Sequence, residues 1–177
     1  ALMKRTLYPG CKFDHMLLFL GQAGGTGKTS VIPLLFENFN NNCVRIITTA
    51  LNNKDTLSNV VRGVCVVNFD EGTALKKADN ELQKTFITQQ VDTFRAPYGM
   101  YDVDYPRQVV FMATSNNMQA IQDVTGSRRY WAIDCEKMAD FDYIRENREQ
   151  LLAEAYHRAK ADEPYIFPNE KDQDAVI

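Results

Sequence analysis

The stretch MLLFLGQAGGTGKTS, Met16 to Ser30, joins an apolar run to a glycine-rich loop that closes on a Lys-Thr pair. A short apolar run of this length reads as a buried strand. Small residues behind it let backbone N–H groups converge on an anion at the start of the next helix. Gly24, Gly25, Thr26 and Gly27 would form that cradle, Lys28 would reach the β- and γ-phosphates, Thr29 would offer a hydroxyl to Mg²⁺, and Ser30 closes the loop. The spacing departs from Gly-x4-Gly-Lys-[ST] at Gln22. Either Gly21 serves with one extra residue in the loop, or Gln22 takes the first place. A helix is expected from about Lys28 to Phe39, with Pro33 past its first turn removing a hydrogen bond.

Outward from the loop, further apolar runs alternate with helical stretches. VRIITT (Val44 to Thr49), VCVVNF (Val64 to Phe69), VVFMATSNN (Val109 to Asn117) and YWAIDC (Tyr130 to Cys135) read as strands. Asp55 to Val61, Ala74 to Thr88 and Phe141 to Lys160 read as helices, and Val91 to Arg107 as a hairpin turning near Gly99. The pattern predicts an α/β fold of three layers: a P-loop NTPase with a mostly parallel five-stranded sheet, an inserted β-hairpin and a closing helix. Residues 1–177 read as one such domain, a fragment of a longer chain, with 164–177 as a tail.

Ligands of such folds bind at the carboxyl ends of the strands, and the polar residues fall there. Asp70 and Glu71 follow the third strand: an acid beside a phosphate loop can hold Mg²⁺, and a glutamate next to it can polarise the attacking water. Asn116 ends the fourth strand, where an amide can orient that water without adding charge. Arg128 and Arg129 precede the fifth, and a late-supplied arginine, often from a neighbouring subunit, stabilises charge on the transferred phosphoryl group. Taken singly, a solvated Asp-Glu turn or a surface arginine pair is ordinary. Their order along the chain gives them weight.

Composition sets bounds. With 24% charged residues and a net charge of −3, the molecule as a whole does not attract nucleic acid, so any such contact needs a local basic surface or pooled subunits. The cysteines, Cys11, Cys43, Cys65 and Cys135, share no CxxC spacing and read as reduced thiols. With no signal peptide and no apolar run near ~20 residues, a cytoplasmic protein without membrane contact is expected.

The strings DEGTALKKAD, VDTFRAPYG, PRQVVFMATSN and TGSRRYW, in that order after GQAGGTGKT, resemble the virulence-associated E family of AAA+ ATPases, related to superfamily 3 helicases and to phage or plasmid replication proteins. The resemblance spans about residues 9 to 133. It implies ATP and Mg²⁺ as cofactors, with Lys28, Thr29 and Asp70 binding them, Glu71 as the acidic catalytic residue that activates water, Asn116 as sensor, and Arg128 or Arg129 as a finger on the next subunit's ATP. It also implies single-stranded or replication-origin DNA as partner in a bacterial or phage-infected cell, and self-association to a hexamer in the full-length protein. The hairpin occupies the place of the family's DNA-touching element, with Arg95, Tyr98 and Arg107 as the candidate contacts and Asp102 and Asp104 as opposing charge. Two other readings remain open at this point: a small P-loop nucleotide kinase, and a module that uses ATP only to assemble on DNA.

Overall fold

The apolar runs fold as the strands of one parallel sheet. A computed structural model of the chain describes residues 1–38, 43–48, 60–70, 85–95, 98–117 and 129–164. In chain order the strands are β1 (Met16–Leu20), β2 (Val44–Ile47), β3 (Val66–Phe69), β4 (Val91–Arg95), β5 (Asp102–Pro106), β6 (Val110–Ser115) and β7 (Tyr130–Asp134). The helices are α1 (Leu2–Leu7), α2 (Val31–Leu35) and α3 (Phe141–Lys160). Five strands form the sheet in the order β2-β3-β6-β1-β7, and each neighbouring pair is parallel. This is the predicted architecture. β4 and β5 pair antiparallel as a separate hairpin.

β3 is buried along its whole length, as is β6, which explains why both are apolar apart from Asn68, Thr114 and Ser115. Alternate residues serve opposite faces. Leu18, Val67, Phe69, Phe111 and Ala113 pack with Val60, Val61, Phe86 and Ile87 on one side. Leu17, Phe19, Val66, Val110 and Met112 pack on the other, against Leu2 of α1, Ile32 and Leu35 of α2 and Leu152 of α3. Phe111 contacts the rings of Phe69 and Phe86, and truncating a side chain so enclosed costs about 3–5 kcal/mol.

α3 has the bounds that the sequence predicts. Asp140 caps it by accepting from the Tyr143 N–H at 2.9 Å, and His157, Arg158 and Lys160 meet the negative end of its dipole. α2 is shorter than expected. The Gly27 carbonyl accepts from the N–H groups of Ser30 and Val31, so the loop's own turn consumes Lys28 to Ser30 and the helix starts at Val31. Pro33 therefore falls in the first turn of α2, where proline is best tolerated.

α1 is an element that the sequence did not announce. It carries Arg5, fully buried, whose guanidinium donates to the carbonyls of Phe13, Val109 and Gln89. Near it His15 lies 4.6 Å, centroid to centroid, from the Trp131 ring, and burial pushes its pKa below the usual histidine value, with Arg129 acting in the same direction and Asp14 against it. Of the helices expected over Asp55 to Val61 and Ala74 to Thr88, the described residues are 60–61 and 85–88, and these are helical. The rest of both spans, and the tail beyond Pro164, lie outside the described residues. Among the described residues no helix is long and apolar enough to cross a membrane.

Candidate nucleotide-binding site

The loop from Gly21 to Ser30 leaves the carboxyl end of β1 and enters α2. Its first glycine is packed tightly against the neighbouring strand end. The Gly21 N–H donates to the Ser115 carbonyl at 3.2 Å, and a Cβ on Gly21 would stand 2.6 Å from the Cys135 carbonyl oxygen. An added methyl there would meet backbone, so the position calls for glycine, while Gln22 is exposed. Gly25 and Gly27 hold φ near +78° and +88°, the left-handed values that turn a chain of N–H groups inward. A Cβ on Gly27 would also strike the Phe141 ring at 2.7 Å. The Ala139 N–H donates to the Thr26 carbonyl at 2.9 Å, so the start of α3 buttresses the loop.

Lys28 is nearly buried and folds back into this ring. Its ammonium donates to the carbonyls of Gly21 (3.1 Å) and Ala23 (2.9 Å) and to Thr26 Oγ1 (3.1 Å). The next residue reaches another strand: Thr29 Oγ1 donates to Asp70 Oδ1 at 2.6 Å. Thr114 Oγ1, near the end of β6, donates to the same oxygen at 2.6 Å. β6 lies between β1 and β3 in the sheet, so three adjacent strand ends converge on one carboxylate. A hydroxyl and a carboxylate are hard oxygen donors that suit Mg²⁺, which keeps most of its coordination for water and phosphate oxygens. Among the described residues no cluster of three or more His, Cys, Asp or Glu offers an all-protein cage.

A cavity of about 450 Å³ lies beside the loop, lined by Thr26, Lys28, Asp134, Cys135, Glu136, Lys137 and Ala139. Burial pushes the Cys135 thiol's pKa up, and the nearby Lys28 charge opposes the shift. A second cavity of about 490 Å³ opens among apolar residues of α1, α2 and α3 and touches neither Lys28 nor Asp70.

The other expected site residues divide. Gly24 and Ser30 are exposed on the loop, and Asn116 is exposed in the bend just past β6, at the same end of the sheet as Asp70. Glu71 and Arg128 lie outside the described residues. Arg129 is half-buried and stands before β7, at the end of the sheet opposite the loop. β7 has 5 residues, so roughly 16 Å of strand separates Arg129 from the loop of its own chain.

In the hairpin, Tyr98 is fully exposed at the tip with φ +66°, and Arg95 is exposed and pairs with Asp102 at 3.2 Å. Arg107 requires a correction. It is 1% exposed, its guanidinium is paired with the buried Asp92 and donates to the Phe86 carbonyl, and it lies over the rings of Phe86 and Phe111. A cation so enclosed cannot touch DNA; it anchors the hairpin root. The sequence reading also missed Thr114, because a threonine in an apolar strand carries no signal of its own.

The description of the virulence-associated protein E-like domain matches residues 1–176. The chain belongs to that family. Among solved structures, this virulence-associated protein E-like chain is similar to the apo structure of the NrS-1 C-terminal region (305–718), with a TM-score of 0.58 and 19% identity over 92% of its length. An A-form apo structure of the same region gives a TM-score of 0.56 at 21% identity. The chain spans 42% of each of those structures, less than half their length. Likeness at this level of identity shows the shared fold. Among curated proteins, none matches the chain significantly.

Proposed function

We propose that the chain is the ATP-binding and ATP-hydrolysing domain of a DNA replication protein that works as an oligomeric ring. The observation that supports this reading is the hydrogen bond from Thr29 to Asp70, which ties the glycine loop after β1 to the carboxyl end of β3, with Lys28 folded into the same loop. Lys28 exchanges its loop carbonyls for phosphate oxygens, and the loop N–H groups hold the remaining charge. Thr29 and Asp70 would hold Mg²⁺, which would neutralise charge on the phosphate oxygens. Glu71, next in sequence to Asp70, takes the proton of the attacking water, and Asn116 orients that water.

Arg129 supports the oligomeric part. At the far end of β7 it cannot serve its own loop, so an arginine finger from this pair acts on the nucleotide of an adjacent subunit. Tyr98 and Arg95 supply the DNA contact, an exposed aromatic face for bases and an exposed cation for phosphate. The test is phosphate release from ATP with and without single-stranded DNA, for the wild type and for Lys28→Ala. Turnover by the wild type and none by the variant is the expected result. Equal release by both would defeat the assignment.

A further inference from the structure

We infer that Thr114 is a positioning residue for Asp70: its buried hydroxyl sets the rotation of the carboxylate that holds Mg²⁺. The inference rests on the nucleotide reading above and assigns to β6 a part in the metal site.

Residues 110–113 of β6 are Val, Phe, Met and Ala, all buried. The next position is 3% exposed and pairs in register with Phe19 of β1. Valine would suit such a place, since it has the same branched shape and no polar atom. A hydroxyl there is costly unless it is bonded. The bond it makes is to Asp70 Oδ1, at 2.6 Å, within the short range of hydroxyl donors to carboxylates.

The same oxygen accepts from Thr29, but the two donors differ in kind. Thr29 belongs to the glycine loop, and its oxygen would itself be a ligand of the metal. Thr114 belongs to the central strand and stays where the sheet holds it. A strand-borne donor fixes one carboxylate oxygen, and with it the direction of the other lone pairs, whatever the loop does. Partners behind a ligand act in this way on metal affinity, and their loss typically weakens binding ten-fold or more. Asn116, two residues further along, is exposed and has no part in this contact.

The experiment uses Mn²⁺ as a paramagnetic stand-in for Mg²⁺, titrated into the chain with saturating ADP and followed by the resonance of free Mn²⁺. Thr114→Val is expected to weaken Mn²⁺ binding roughly ten-fold, and Thr114→Ser to stay within about two-fold of the wild type. ADP affinity without metal should be unchanged in both. Thr114→Ala is the second variant should valine fold poorly, and it should weaken Mn²⁺ as valine does. Wild-type Mn²⁺ affinity in Thr114→Val, or equal weakening in Thr114→Ser, overturns the inference, the second result because it would assign the effect to the methyl group. Failure of the wild type to bind ADP at all, with or without Mn²⁺, overturns the nucleotide reading itself.

Discussion

Gly21→Ala probes how the phosphate loop is seated against its neighbour strand. The added methyl would lie 2.6 Å from the Cys135 carbonyl oxygen, 3.3 Å from its carbon and 3.4 Å from Lys28 Nζ. The obstacle is backbone, not the end of a flexible side chain. The Cys135 N–H is itself bonded to the Leu20 carbonyl at 2.6 Å, so the segment after β7 cannot retreat without disturbing its junction with β1. A forced shift of roughly half an ångström in packed backbone costs about 1–3 kcal/mol. At about 2 kcal/mol, a domain of this size loses ~4–8 °C of melting temperature. The control is Gly24→Ala, whose methyl meets nothing within 4 Å and whose backbone is not left-handed. It should melt at the wild-type temperature or slightly above, because alanine restricts the unfolded chain. Thermal unfolding followed by circular dichroism reads both variants. Equal melting temperatures for Gly21→Ala and Gly24→Ala would refute the claim that the first glycine is a packing requirement.

Arg107→Met leaves Asp92 buried without its cation and should destabilise the fold by about 3–5 kcal/mol in urea unfolding, with partial recovery on adding Asp92→Asn; a loss under ~1 kcal/mol would contradict the buried pair. Burial depresses the folded pKa of His15, so the unfolded chain takes up its proton first as pH falls. Stability from this group is therefore full above about pH 6.5 and declines below it, and His15→Phe should flatten that part of the pH–stability curve; an unchanged slope would count against the assignment. Arg129→Ala and Lys28→Ala, each inactive alone, should regain some ATPase activity when mixed, since mixed rings contain intact composite sites. Absence of recovery at concentrations where assemblies form would argue against Arg129 acting across subunits, and Arg128→Ala extends the test to its neighbour.

The sheet was legible because its central strands β3 and β6 are enclosed on both sides and β1 is apolar throughout, so MLLFL, VVNF and VFMATS read as strands from their apolar content alone. The pairing of Thr29 with Asp70 was legible for a different reason. Their chemistry is tied to fixed offsets from a strand end, and strand ends can be read from where apolar runs stop. What stayed hidden depends on partners distant in sequence. Arg5 and Arg107 look like surface cations until the carbonyls of Val109 and Gln89, or the carboxylate of Asp92, are brought against them. Arg107 meets Asp92 only because the hairpin folds back on itself, and that closure carries the cation inside. The extent of α2 was overestimated because helix propensity does not register the tight turns at its two ends, Lys28 to Ser30 and Phe36 to Asn38.

The seat of Phe141 on Gly27 gives α3 the character of a lever with its fulcrum at the nucleotide loop. The helix is 20 residues long, about 30 Å, so a tilt of ~5° at the loop swings its far end by ~2–3 Å. Just past that end Asp162 pairs with Lys4 of α1, and α1 grips the roots of the hairpin and of β6 through Arg5. Were an anion to shift the loop as the proposed function requires, this chain of contacts would pass a magnified displacement toward the base of the exposed tyrosine tip.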